Sequence, residues 1–320
     1  MKFRTVHSFP VSQFQLDHKK SCLMMGSCFT ENIGDKLRKY LYPCSINPFG
    51  VSYNPMSIHT NIAALLDKES YEENDLGLYK ELYFSFDHYT KFSSTDKNQA
   101  LLKMNTSLGE AQNLLKNMGF LIITFGTAYV YTYGDNNRIV NNCHKMPAKN
   151  FQRRLLSISE IAESYTELVN TLKERFPGVQ VLFTLSPVRH LKDGFIENQR
   201  SKSILHLAIH EILKQHPETC SYFPAYEIMM DDLRDYRFYD EDLVHPNSQA
   251  ISYLWDQFRD ICISEQSRLI MEKLDPLIRD KAHRPMHINT KEYDNFLTKI
   301  NERERKLKEE YPFLTWGILK

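Results

Sequence analysis

The chain has 320 residues, 42% of them hydrophobic, enough to bury a large core as one big domain or a domain with an appendage. Its 40 basic and 40 acidic residues cancel, so no global field favours a polyanion, and neither nucleic acid nor an anionic membrane is expected as a partner. No segment approaches the roughly 20 continuous apolar residues of a membrane-spanning helix, and Met1 to His7 is not followed by a signal-peptide core, so the expected compartment is the cytoplasm.

In chain order, short apolar runs alternate with longer helical patterns, which predicts an α/β fold with a mainly parallel sheet. Leu23-Met24-Met25 runs into Gly26 and is the first strand; an amphipathic helix follows over Glu31 to Tyr40, and another over Ile58 to Leu66. A helix over Gln99 to Asn117 precedes the strand Phe120 to Phe125, which ends at Gly126. Tyr129 to Tyr133, the turn Gly134-Asp135-Asn136-Asn137 and Arg138 to Val140 read as a β-hairpin outside the main sheet. A helix over Ser159 to Phe176 leads to the strand Val179 to Leu185, closed by Ser186-Pro187. Helices over Lys202 to Gln215 and Ser248 to Glu265 flank a weaker strand around Tyr222 to Ile228. The charged stretch after Lys291 reads as a peripheral helix packing through Tyr293, Phe296, Leu297, Ile300 and Leu307. The expected division is one domain over 1–275 and a helical extension over 276–320 packed on it.

Six cysteines are scattered without a Cys-x-x-Cys pair, so reduced, mostly buried thiols are expected. His206 and His210 lie one helical turn apart, but the glutamate of a zinc-protease helix is missing and no third ligand is placed, so no metal and no cofactor is expected.

Gly26-Ser27-Cys28-Phe29 offers a serine hydroxyl where a buried strand stops, at the sheet edge where open α/β folds hold ligands. A serine is a weak nucleophile and needs a base and oxyanion donors. Asp242-Leu243-Val244-His245-Pro246 carries a carboxylate and an imidazole on one short turn, with the right spacing for the acid to orient the base. Plainer readings stand beside these. Ser27 or Thr30 caps the following helix, and His245 is an ordinary residue at a helix start. Cys28 is an alternative, thiol nucleophile at a helix start, set against a buried cysteine whose side chain diverges from that of Ser27. Arg189 and His190 follow a strand end and are candidates for recognising a carboxylate, phosphate or sugar hydroxyl, against an Arg189–Asp193 ion pair and a cap at Asn198. Tyr129, Tyr131 and Tyr133 share one hairpin face, for stacking on a sugar or on one another.

Gly26-Ser27-Cys28-Phe29-Thr30, Asn47-Pro48-Phe49-Gly50-Val51 with Tyr53-Asn54-Pro55, Phe125-Gly126-Thr127-Ala128, Ser186-Pro187-Val188-Arg189-His190 and Asp242-x-x-His245-Pro246 together resemble the GSCFA-domain family over about residues 17 to 265. That family looks related to the SGNH, or GDSL-like, hydrolases. The resemblance implies a three-layer α/β/α sandwich and a Ser27, His245, Asp242 triad. It also implies an oxyanion hole that includes the Ser27 amide and Gly50. The superfamily's aspartate between glycine and serine is absent here, and so is its asparagine in the third block. The remaining oxyanion donor is therefore sought at Thr127 or Asn54. The expected activity is hydrolysis of an acyl ester, with a carbohydrate O-deacylase as one form; an acyltransferase or a non-catalytic binding module on the same fold are the alternatives. The expected partner is a small-molecule or carbohydrate ester.

Overall fold

A computed structural model describes residues 8–134, 137–283 and 290–318. Met1 to His7, Asp135 and Asn136 of the expected hairpin turn, and Arg284 and Pro285 lie outside them.

The strands are β1 (Ser21–Gly26), β2 (Cys44–Ile46), β3 (Gly77–Tyr79), β4 (Leu82–Phe84), β5 (Met118–Phe125), β6 (Tyr129–Tyr133), β7 (Arg138–Val140), β8 (Phe151–Leu155), β9 (Gln180–Leu185) and β10 (Cys220–Phe223). The helices are α1 (Cys28–Lys39), α2 (Pro55–Asp67), α3 (Lys97–Leu115), α4 (Ile158–Arg175), α5 (Gly194–Gln215), the single turn α6 (Ala225–Glu227), α7 (Ser248–Cys262), α8 (Glu265–Ala282) and α9 (Lys291–Glu310).

The central sheet has the order β10-β9-β5-β1-β2, and every pairing in it is parallel. Because strand side chains alternate between faces, each buried strand feeds two cores. Leu23, Met25, Leu121, Ile123, Val181 and Phe183 meet α2, α3, α4 and α5 on one face. Cys22, Met24, Phe120, Ile122, Leu182 and Phe223 meet α1, α7 and Met271 of α8 on the other. The expected α/β sandwich with a parallel sheet is therefore the observed architecture. The β6–β7 pairing is the expected hairpin excursion, with β8 added to its other edge, and β3 and β4 form a separate antiparallel ribbon.

Some expected limits move. The fourth strand lies at Cys220–Phe223, upstream of the expected run, because Pro224 ends the ladder and residues 225–232 turn helical. Helix α5 starts at Gly194, eight residues before the expected start, with Phe195 and Ile196 exposed on it. Helix α8 runs through Pro276, so the expected division at 275/276 falls inside a helix. Helices α8 and α9 pack together around Leu274, Leu277, Ile300 and Leu307. Among the described residues, no helix is long and apolar enough to cross a membrane.

Candidate active site

All strands of the central sheet point the same way, so Gly26, Phe125 and Leu185 end β1, β5 and β9 at one edge. The chain must leave β1 against β5 at very close range. Gly26 has φ +146°, and a Cβ there would lie 2.3 Å from the carbonyl oxygen of Thr124, so only glycine fits. Its polar groups are held by the next loop: the Gly26 amide donates to Asn47 Oδ1 at 2.8 Å, and its carbonyl accepts from the Ser52 amide at 3.0 Å.

The sequence blocks interlock around this edge. The Gly126 and Thr127 amides both donate to the carbonyl of Tyr53, at 2.7 and 3.0 Å. Ser201 Oγ accepts from the Ala128 amide at 2.7 Å and lies 3.1 Å from Thr127 Oγ1. Asn198, inside α5 rather than capping it, accepts the His190 amide on its Oδ1 at 2.8 Å and so holds the loop after β9. The sequence offered Asn198 only as a helix cap and Asn47 only as the start of a family block; for Asn47 the signal was an asparagine before proline, a residue that tolerates the φ of +45° it adopts.

Ser27 caps α1. Its Oγ accepts the Phe29 amide at 3.3 Å, and the residue is buried at 1% exposure. Cys28 is half-buried on the first turn of the helix. Of the oxyanion candidates, Gly50 donates its amide to Asn47 O at 2.7 Å within a turn. Asn54 caps α2, its Oδ1 accepting from Ser57 N at 2.8 Å and its Nδ2 donating to Ser57 Oγ at 2.9 Å. The Thr127 side chain lines the cleft described next.

Asp242 and His245 form a tight unit. Asp242 Oδ1 accepts from the Val244 and His245 amides, both at 2.9 Å, while Oδ2 lies 2.5 Å from His245 Nδ1. A carboxylate only accepts, so Nδ1 carries the proton and Nε2 is the nitrogen free to act as a base. Those hydrogen bonds, led by the His245 amide, hold the Asp242 carboxyl down at about 2. Asn247 then caps α7.

Two clefts meet at His245. The first, about 540 Å³, is lined by Cys28, Tyr53, Thr127, Arg189, His190 and His245, among others, with Tyr129 and Tyr131 on its hairpin wall. The second, about 520 Å³, is bounded by α1 and the start of α7. Cys28, Val188 and His245 line both; Ser27 lines neither. The structure therefore brings His245, Arg189, His190 and Thr127 to one cleft, while Ser27 is buried and does not line it. Arg189 lies over the Tyr239 ring at 5.5 Å and the Phe195 ring at 5.8 Å. Arg153 stacks on Tyr129 at 3.6 Å, whereas Tyr133 packs on Phe86 and Phe151, so only two of the three hairpin tyrosines face the cleft.

The family comparison matches these blocks: the GSCFA family aligns with residues 21–258, and the GSCFA C-terminal domain with residues 274–317. The chain belongs to the GSCFA family. The family motifs thus coincide with the turn after β1, the loop that clamps Gly26, the ends of β5 and β9, and the His245 loop. A comparison with curated proteins gives no match. All six cysteines of this GSCFA protein are free, and four of them are buried. Among the described residues, no group of three or more His, Cys, Asp or Glu is arranged to hold a metal ion, and His206 faces Glu227 at 3.2 Å instead.

Lys202 is a buried charge that the sequence pattern hid. Its ammonium, 1% exposed, donates to Ser186 O at 2.8 Å behind the cleft, and burial lowers it from 10.5 to about 7. The unfolded chain keeps that proton up to the ordinary range, so between pH 7 and 10.5 it binds more protons than the native state and stability rises with pH. Relative to Lys202→Met, the wild-type urea midpoint is expected to climb from pH 7 to pH 10; a constant gap between the two proteins contradicts a desolvated lysine.

Proposed function

We propose that this GSCFA protein is an acyl-ester hydrolase that works through a covalent intermediate. A side chain of the Ser27-Cys28 turn attacks the ester carbonyl, and His245 takes its proton on Nε2 and passes it to the leaving alcohol. Asp242 keeps Nδ1 protonated and steadies the imidazolium that forms. The observation that carries this reading is the 2.5 Å His245–Asp242 contact in a cleft bordered by the turn after β1. A relation to the SGNH hydrolases fits it, because the parallel sheet presents its carboxyl edge to that cleft.

The floor of the cleft sets the oxyanion donors. With the Gly50 amide committed to Asn47, both polar ends of Asn54 to Ser57, the Phe29 and Thr30 amides to Ser27, and Thr127 Oγ1 bonded to the Tyr129 amide and beside Ser201, the Ser27 and Cys28 amides are the proposed donors. Arg189 and His190 bind the substrate beyond the scissile bond, and the Tyr129 and Tyr131 rings suit the faces of a sugar, so an acylated carbohydrate is the substrate class proposed.

On mixing with excess p-nitrophenyl acetate, the protein is expected to release a burst of p-nitrophenol equal to one equivalent per chain, followed by slower turnover, as an accumulating acyl-enzyme requires. Release no faster than in buffer, with no burst, contradicts the reading and favours a binding module on the same fold.

A further inference from the structure

We infer that the nucleophile of this site is the thiol of Cys28, not the hydroxyl of Ser27, and that the intermediate is a thioester. The inference rests on the acyl-transfer reading above and fixes the atom that carries the acyl group.

Ser27 is poorly placed for attack. Its side chain is buried at 1% exposure, its Oγ is occupied by the Phe29 amide, and it lines neither of the clefts that meet at His245. A hydroxyl that leaves its capping position gives up its hydrogen bond from the Phe29 amide.

Cys28 differs on each count. It is only partly buried, and it shares both clefts with His245. Its sulfur is near several groups that bear on its charge. Burial pushes the thiol up and Glu31 adds to that, while the amides of Phe29 and Cys28 and the Lys202 ammonium pull it down. Lys202 is raised in turn by a negative Cys28, and so is Tyr53, which borders the same cleft. The thiol therefore rests protonated among groups that favour its anion: a helix start in front and a buried lysine behind. Such a thiol needs a base to become a nucleophile, and His245 with its carboxylate is that base.

The step balances without any further reactant. The Cys28 proton passes to His245 Nε2 as Sγ bonds the carbonyl carbon. The C–O bond then breaks, and the alcohol leaves with the proton from His245. Water attacks the thioester, giving a proton to His245; the C–S bond breaks, the carboxylic acid departs, and the proton returns to sulfur.

Wild-type protein mixed with p-nitrophenyl acetate, quenched in acid and digested, is expected to carry an acetyl group on Cys28 that neutral hydroxylamine removes. Cys28→Ala is expected to lose the burst, whereas Ser27→Ala and Ser27→Gly keep it; thermal unfolding of each variant confirms a folded protein. Because the label is read on the wild-type chain, the result does not depend on any variant folding. An acetyl group on Ser27, with the burst kept in Cys28→Ala, overturns this inference and leaves the acyl-transfer reading standing. An acetyl group on neither residue overturns both.

Discussion

His245→Ala protein is expected to lose about 10³-fold in kcat/KM toward p-nitrophenyl acetate, inside the range that a positioned general base supplies. The loss should fall mainly on kcat, because the imidazole acts on a proton in flight rather than on bound substrate. Asp242→Asn tests the other half of the unit. An asparagine oxygen still accepts the amides of Val244 and His245, so the loop keeps its shape, but the amide NH2 that replaces Oδ2 donates to Nδ1 and drives the ring proton onto Nε2. With Nε2 protonated the ring cannot take the nucleophile's proton, so the expected loss approaches that of His245→Ala, about 10³-fold. Steady-state kinetics on the two variants decide the matter. An Asp242→Asn protein as fast as wild type contradicts the assigned roles, since the carboxylate acts by holding the proton on Nδ1.

The second large effect is on stability. Gly26→Ala places a methyl group 2.3 Å from the Thr124 carbonyl oxygen, in a backbone conformation that an L side chain rarely adopts. The contact is with the backbone of β5, a central strand that cannot move aside without breaking its ladders to β1 and β9. A cost of about 3 kcal/mol or more is expected, combining overpacking with backbone strain. Urea unfolding measures it. The same substitution should also lower esterase activity in the folded fraction, because the direction of the chain into Ser27 and Cys28 is set at Gly26. An alanine variant as stable as wild type means that β1 and β5 lie farther apart than described.

Much of this architecture was legible in the sequence because its strongest parts are dictated locally. Leu23-Met24-Met25, Phe120 to Phe125 and Val179 to Leu185 are buried on both faces, so each is a solid apolar run, and each ends at a glycine or Ser-Pro that stops a strand. The edge strand β2 has three residues, too few for any period to declare itself. Strand β8, Phe-Gln-Arg-Arg-Leu, pairs only with β6 and lies mostly in solvent, so its composition resembles a loop. The early start of α5 was hidden because Phe195 and Ile196 face water, which spoils the amphipathic signal over its first turns.

The site was legible to a different degree. Asp242 and His245 are three residues apart, and a pairing that short follows from one tight turn. Whether Ser27 or its neighbour faces that pair depends on how the chain rotates as it leaves β1, a rotation fixed by the Gly26–Thr124 approach and the Asn47 hydrogen bond, neither of which local sequence reveals. Lys202 was hidden for a similar reason: its burial comes from the Ser186 carbonyl and the covering turns, contacts between elements far apart in the chain.

The proposed acyl transfer is located at the turn after β1, in the cleft that His245 lines. A crystal structure of the protein trapped with a slowly hydrolysed aryl ester tests it most directly. The prediction is an acyl group joined to the chain at that turn, lying in the cleft between Tyr53, Thr127 and His190. An acyl group attached elsewhere, or an ester bound far from His245, contradicts it.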